Sequence, residues 1–186
     1  MRVVVVAPPD PVVTWEEADA HLRLGGDTSQ QPQVEAMVAA ATQHLDAPDG
    51  WLGRALGRQA LEARLDRFGG CPIALAYPPI VSIESVTYLD GTGAEQVCDA
   101  DVYELRGAVL GTAWGKSWPS TGCHPEAVRI RYVAGYETLP APIGAAILIM
   151  TADLYAGRDE FLAGALATVP MSITVERLLA PYRIWG

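Results

Sequence analysis

Apolar residues recur along this chain at two different periods, and the change of period divides it. From Gln31 to Leu45, the residues Val34, Met37, Val38, Ala41 and Leu45 fall at steps of three and four. That spacing lays one apolar stripe along a helix. An earlier helix starts at Thr14, where Glu17 completes a capping-box spacing and Glu16 and Glu17 stand near the positive end of the helix dipole. It carries Trp15, Ala18 and Leu22 on one side, and Gly25-Gly26 stops it. Asp46-Ala47-Pro48-Asp49-Gly50 ends the second helix, so the first third predicts a helical hairpin.

From Gln59 to Phe68 the period falls to two. Leu61, Ala63 and Leu65 alternate with Glu62, Arg64 and Asp66, as a half-buried strand requires. Cys71–Ala76 and Ile80–Leu89 predict further strands, parted by Tyr77-Pro78-Pro79. Asp90-Gly91-Thr92-Gly93 is a hairpin turn, because Gly and Asp tolerate the positive φ of such loops. Short strands follow near Glu95–Cys98, Tyr103–Leu105 and Ala108–Leu110. Ala127–Val133 alternates again, with Val128, Ile130 and Tyr132 opposite Arg129 and Arg131.

Helical spacing returns at Pro142, a residue suited to a first helical turn. Ile143, Ile147, Met150 and Leu154 share one side, and Ala146, Leu148 and Ile149 leave little polar surface elsewhere. A helix this apolar is either central to its own fold or pressed against another chain. A last short helix, Thr174–Ala180, presents Val175, Leu178 and Leu179 before Pro181 stops it. The plan is α+β: an N-terminal helical hairpin, a central antiparallel β-sheet, a long helix in the C-terminal half, and a short terminal helix with an extended tail. The expected organisation is an arm or short strand over 1–12 and a single α+β domain over 13–157. A flexible loop, carrying Gly164 and Pro170, follows over 158–172, and a helix and tail for partner binding over 173–186.

Composition narrows the function. With 186 residues, half of them apolar, the chain can bury a real core and suits one domain better than two. The formal charge of −9 disfavours a binder of nucleic-acid backbone, which needs Lys and Arg gathered on one face. Cys71, Cys98 and Cys123 are odd in number and widely spaced, which reads as free buried thiols in a reducing compartment. The opening Met1–Pro9 is too short an apolar run for a signal peptide, and the longest apolar run, Leu139–Met150, is too short to span a membrane.

The chemical motifs are weak. Gly111-Thr112-Ala113-Trp114-Gly115-Lys116-Ser117 lacks one residue of phosphate-loop spacing and runs into Trp118-Pro119, where no helix N-terminus can receive a phosphate. Cys123-His124 has no partner pair at zinc-ligand spacing. Asp99, Asp101 and Glu104 read as a solvated turn, since calcium-loop spacing is missing. No catalytic residue, metal ligand or cofactor is expected. A rival enzyme reading needs a cleft that joins His21, His44, Asp99 or His124. Trp15 and Trp51 read as core residues. Trp185, with Tyr182, Arg183 and Ile184, reads as an interface anchor, because aromatic and arginine side chains dominate hot spots. The alternative is a tail folded back on its own domain.

In order along the chain, these segments resemble the phage head–tail connector family, the adaptor or head-completion proteins, especially its longer members. Val13-Thr14-Trp15-Glu16-Glu17-Ala18 through Leu22-Arg23 is similar to the family's opening helix, although Trp15 departs from the expected leucine. Gly53-Arg54-Ala55-Leu56, Leu65-Asp66-Arg67-Phe68 and Pro78-Pro79-Ile80 through Asp90 look like its first long strand and central hairpin. Gly115–Pro119 is similar to the loop after its strands, and Val133-Ala134-Gly135-Tyr136 to its entry into the main helix. Val175-Glu176 with Leu178 to Arg183 is the most specific piece; the four-valine start has no counterpart.

The resemblance implies a non-enzymatic protein at the neck of a tailed phage or gene-transfer particle, held in the host cytoplasm before assembly. It implies a ring, usually of twelve subunits, below the portal protein, a stopper or tail protein on the distal side, and a channel that DNA crosses without sequence-specific binding. The family's portal contact falls here on Leu178, Leu179, Tyr182, Arg183, Ile184 and Trp185. A tail-completion or terminator ring protein is the alternative within the same particle.

Overall fold

The structure is a computed structural model that describes residues 1–69, 72–158, 169 and 171–185. Packing divides the chain into two compact units, one of Met1–Asp10 with Arg58–Tyr136 and one of Pro11–Gly57 with Glu137–Gly186.

The first unit holds the strands: β1 (Arg2–Ala7), β2 (Gln59–Leu65), β3 (Ile73–Ala74), β4 (Ile80–Leu89), β5 (Glu95–Val97), β6 (Tyr103–Arg106), β7 (Val109–Thr112) and β8 (Val128–Ala134). Five form an antiparallel sheet in the order β1-β2-β8-β4-β5, and three form a second sheet in the order β3-β7-β6. The four-valine start is therefore an edge strand, with Val3 opposite Ala63 and Val5 opposite Leu61. The strand expected over Cys71–Ala76 shrinks to two residues; Leu75 already hydrogen-bonds the Ala108 carbonyl outside the ladder, and Tyr77 turns to a φ of 61°. Cys71 lies outside the described residues.

Alternation gives the main sheet two unlike faces. Leu61, Ala63, Val86, Val128, Ile130, Tyr132 and Ala134 are buried on one. Tyr132 also donates its hydroxyl to the Ala76 carbonyl at 3.0 Å. The other face carries charge. Glu62 is almost fully buried there, with Arg64 Nε at 2.8 Å on one carboxylate oxygen and Arg131 Nε at 2.7 Å on the other. Glu126 extends the network to Arg64 and Arg2, each at 3.2 Å. At the β4–β5 turn, the Asp90 carboxylate accepts from the Thr92 and Ala94 N–H groups and the Gln96 amide. Bonds from the Thr92 and Gln96 side chains, foremost, hold the Asp90 carboxyl down at about 2.

The second unit holds the helices: α1 (Trp15–Leu22), α2 (Gln31–Leu45), α3 (Ala141–Ala156) and α4 (Ile173–Leu179). Thr14 and Glu17 make the expected capping box on α1. The helix ends at Arg23, two residues before Gly25, because Arg23 itself takes the left-handed conformation and sends its N–H back to Asp19. Helix α3 packs against α1, α2 and α4, and buries Ile143, Ala146, Ile147, Met150, Thr151 and Leu154. It is central to its own unit, the first of the two roles its apolar circumference allowed. Most of the loop expected over 158–172 lies outside the described residues. No helix among the described residues is long and apolar enough to cross a membrane.

The Glu62 network makes stability pH-dependent. Burial alone would raise its carboxyl, but hydrogen bonds from Arg131 and Arg64 outweigh that and hold it below the ordinary 4.5. A carboxyl depressed by folding contributes stability above the unfolded value, and that stability is lost as pH falls through the lower folded value. Glu62→Gln is expected to lower stability at neutral pH by about 1–3 kcal/mol and to flatten the acid limb below pH 4.5. Urea midpoints measured down to about pH 3 check this.

Candidate functional site: the docked C-terminal segment

Ser172 caps α4 by accepting from the Val175 N–H at 3.4 Å, and the helix turns Val175 and Leu179, both fully buried, onto α3. Pro181 ends the α-helix and a single 3-10 turn, Ala180–Tyr182, redirects the chain. The turn and the residues beyond it are held through their backbone groups. The Ile184 N–H donates to the Leu52 carbonyl at 2.9 Å, and the Arg54 guanidinium donates to the Tyr182 carbonyl. Gly53 makes this approach possible: its φ is +64°, and a Cβ there would meet the Ile184 carbonyl oxygen at 3.1 Å.

Arg183 then lies between two indole rings, 4.0 Å from the centroid of Trp51 and 3.9 Å from that of Trp185. Such contacts contribute about 0.5–1 kcal/mol each at exposed sites. The outer ring is bare, since Trp185 is 76% exposed. Beside Trp51 runs a shallow groove lined by Ala40, Gln43, His44 and Asp49, with Val169.

The six residues expected to bind a partner therefore divide. Leu179 is taken by the core of its own unit, because the α4 stripe that carries it faces α3. Leu178, Tyr182, Arg183 and Ile184 are half-buried, and Trp185 stands open. Trp51, Gly53 and Arg54, which anchor the segment, carried no signal of that role in the sequence. Trp15 and Trp51 are half-buried rather than core residues; Trp51 spends a ring face on Arg183.

The residues of the enzyme reading are scattered over both units. His21 is exposed on α1, His44 borders the groove, and exposed His124 hydrogen-bonds the carbonyl of its own neighbour Pro125. Lys116 of the false phosphate loop pairs with Asp101 at 2.7 Å, and Trp118 stacks on Phe68 at 4.5 Å. Cys98 is buried as expected, but Cys123 is exposed, because it sits in an open loop between β7 and β8. Among the described residues, no group of three or more His, Cys, Asp or Glu could hold a metal ion. What the segment presents is two rings, a cation and half-buried aliphatic carbons.

Gly53→Ala is expected to strain the loop and push on the Ile184 carbonyl, costing about 1–2 kcal/mol. The Ile184 amide should then lose its protection from hydrogen exchange, and the Trp51–Trp185 fluorescence should shift.

Solved structures share this fold. A chain in the neck of an empty GTA particle computed with C6 symmetry superposes with a TM-score of 0.78 at 21% identity, covering 100% of this chain and 97% of that one. A chain in the virion of a native gene transfer agent particle gives 0.77 at 20% identity, with the same coverage of 100% and 97%. A chain in the neck of a native GTA particle computed with C12 symmetry gives 0.63 at 18%, covering 97% and 96%. No protein-family model and no curated protein matches the sequence.

Proposed function

We propose that this chain is a non-catalytic structural subunit of the neck of a tailed phage or phage-like particle: a head–tail adaptor that forms a ring under the portal and leaves a channel for DNA. The observation that carries this reading is the end-to-end likeness to a neck chain, 100% of one and 97% of the other, over both the sheet and the helical unit. The order of sequence segments from Thr14 to Arg183 supports the same family independently. A net charge of −9 suits a passage that DNA crosses without sticking.

The C-terminal segment supplies the portal contact. Covering Leu178, Tyr182, Ile184 and Trp185 with a partner removes apolar surface from water at about 25 cal/mol per Å². Ordering costs normally consume much of that gain. Here the Ile184–Leu52 bond and the Arg183 stack hold the segment in place before any partner arrives, so less ordering remains to be done. Many copies engaging one ring then turn a weak contact into a durable joint through effective concentration. A stopper or tail protein occupies the distal side.

The test is binding to the cognate portal. Tyr182→Ala with Trp185→Ala leaves Val175 and Leu179 in the core and should weaken binding by about 30-fold or more. A folded double variant that binds the portal as tightly as the wild type refutes the contact. Electron microscopy of the assembled particle decides the larger question: density for this chain next to the portal is expected, and density at the tail end instead makes it a terminator.

A further inference from the structure

The edges of a sheet are where another chain can extend it. Here one edge of the five-stranded sheet is β1, which among the described residues pairs with β2 alone, with Val5 and Val6 at 41% and 46% exposure. Its four valines carry no charge to blunt the edge. At the other edge β4 is ten residues long, but β5 pairs only with Thr87–Leu89, and Cys98 bonds the Val86 carbonyl. Among the described residues no strand pairs with Ile80–Ser85 on that side, and Val81 is 43% exposed. The open stretch has the length of the six-residue β1.

We propose that the β1 edge of one copy of this chain adds antiparallel to the Ile80–Ser85 edge of β4 in the next copy. This contact rests on the ring reading above and gives it a residue-level interface.

Strand direction supports it. β1 is antiparallel to β2, β2 to β8 and β8 to β4, so β1 and β4 run opposite ways. A neighbour placed side by side in the same orientation therefore brings its β1 to β4 in the antiparallel sense. The contact joins two different edges, as a head-to-tail ring requires. The faces agree as well. Val5 lies opposite Leu61 and Ile83 opposite Tyr132, both on the apolar face. Val4 lies opposite Glu62 on the charged face, where the charge of Glu84 acts on Arg131. Setting Val5 against Ile83 and Val4 against Glu84 keeps both faces continuous and places the cation Arg2 diagonal to the anion Glu84. Val81 and Glu84 have no partner residue across the β4–β8 ladder.

Directly opposed antiparallel residues have Cα atoms about 4.5–5.5 Å apart, within reach of a disulfide. The test is a chain with Val5→Cys and Ile83→Cys, its native cysteines replaced by serine or alanine, assembled into particles and oxidised. A covalent ladder of copies is expected, and about tenfold less product from either single-cysteine chain. Dimers from Val5→Cys alone would set β1 against β1 and overturn the proposal. Particles that carry the protein in the neck but give no ladder overturn this contact and leave the proposed function standing. Particles that assemble without the protein in the neck overturn that function, and the contact with it. Hydrogen exchange on the wild-type chain serves if the variant does not fold. Amides of Val3–Val6 and Ser82–Ser85 should exchange at least about tenfold more slowly in the particle than in the free subunit; unchanged exchange at both strands overturns the contact.

Discussion

Strand β8 is hydrogen-bonded on both sides, and the sheet unit depends on that double ladder. It pairs with β2 from Val128 to Ala134 and with β4 over the same residues. With both edges satisfied, its side chains are free to specialise. Val128, Ile130, Tyr132 and Ala134 are buried, while Arg129 and Arg131 alternate onto the charged face. A slip of one residue would exchange the faces and drive two guanidinium groups into the apolar side. Glu62 tightens the restriction. Its buried carboxylate is tolerable only with Arg64 and Arg131 in place, so register and charge pairing specify each other.

The helical unit solves the same problem of satisfying backbone groups at a chain end. Beyond Tyr182 the described residues form no helix or strand, yet the segment meets the Leu52 carbonyl, and the Tyr182 carbonyl meets the guanidinium of Arg54, 128 residues away. One glycine conformation at position 53 permits the approach. Arg183 adds the second layer by stacking on Trp51 and presenting its other face to Trp185. The result is a tail that is positioned without being covered. The proposed portal contact would draw on that property, since the segment is already ordered while the outer indole remains in water.

Much of the architecture was legible because periodicity records which face of an element meets a core. The α2 stripe from Val34 to Leu45, the β4 run and the alternation of β8 each appear where the spacing put them. Capping at Thr14 was legible for the same reason, since it is a local contact. The misses are conformational or long-range. Nothing local distinguishes Arg23, which adopts the left-handed cap that Gly25 offers more cheaply. The fate of Leu179 turned on whether α3 or a partner covers its stripe, and a seven-residue helix carries no record of which. Trp51 and Trp185 looked like a core residue and a free anchor. Only the folded chain joins them through Arg183, because a contact across more than a hundred residues leaves no periodic trace.

What remains exposed after each unit completes its core is therefore informative. Trp114 is 99% exposed, while Trp118 stacks on Phe68 and Tyr103. Val97 is 71% exposed, Ile173 68% and Trp185 76%. Isolated apolar side chains on a surface need no special account, but here they occupy a loop after β7, an edge strand, the first turn of α4 and the tail. A twofold dimer needs one self-complementary patch; a subunit with unlike neighbours on several sides needs several patches that do not match themselves. On this chain the exposed valines belong to strand edges of the sheet unit and the bare indole to the tail of the helical unit, so the proposed contact between copies and the proposed portal contact would draw on separate pieces of sequence.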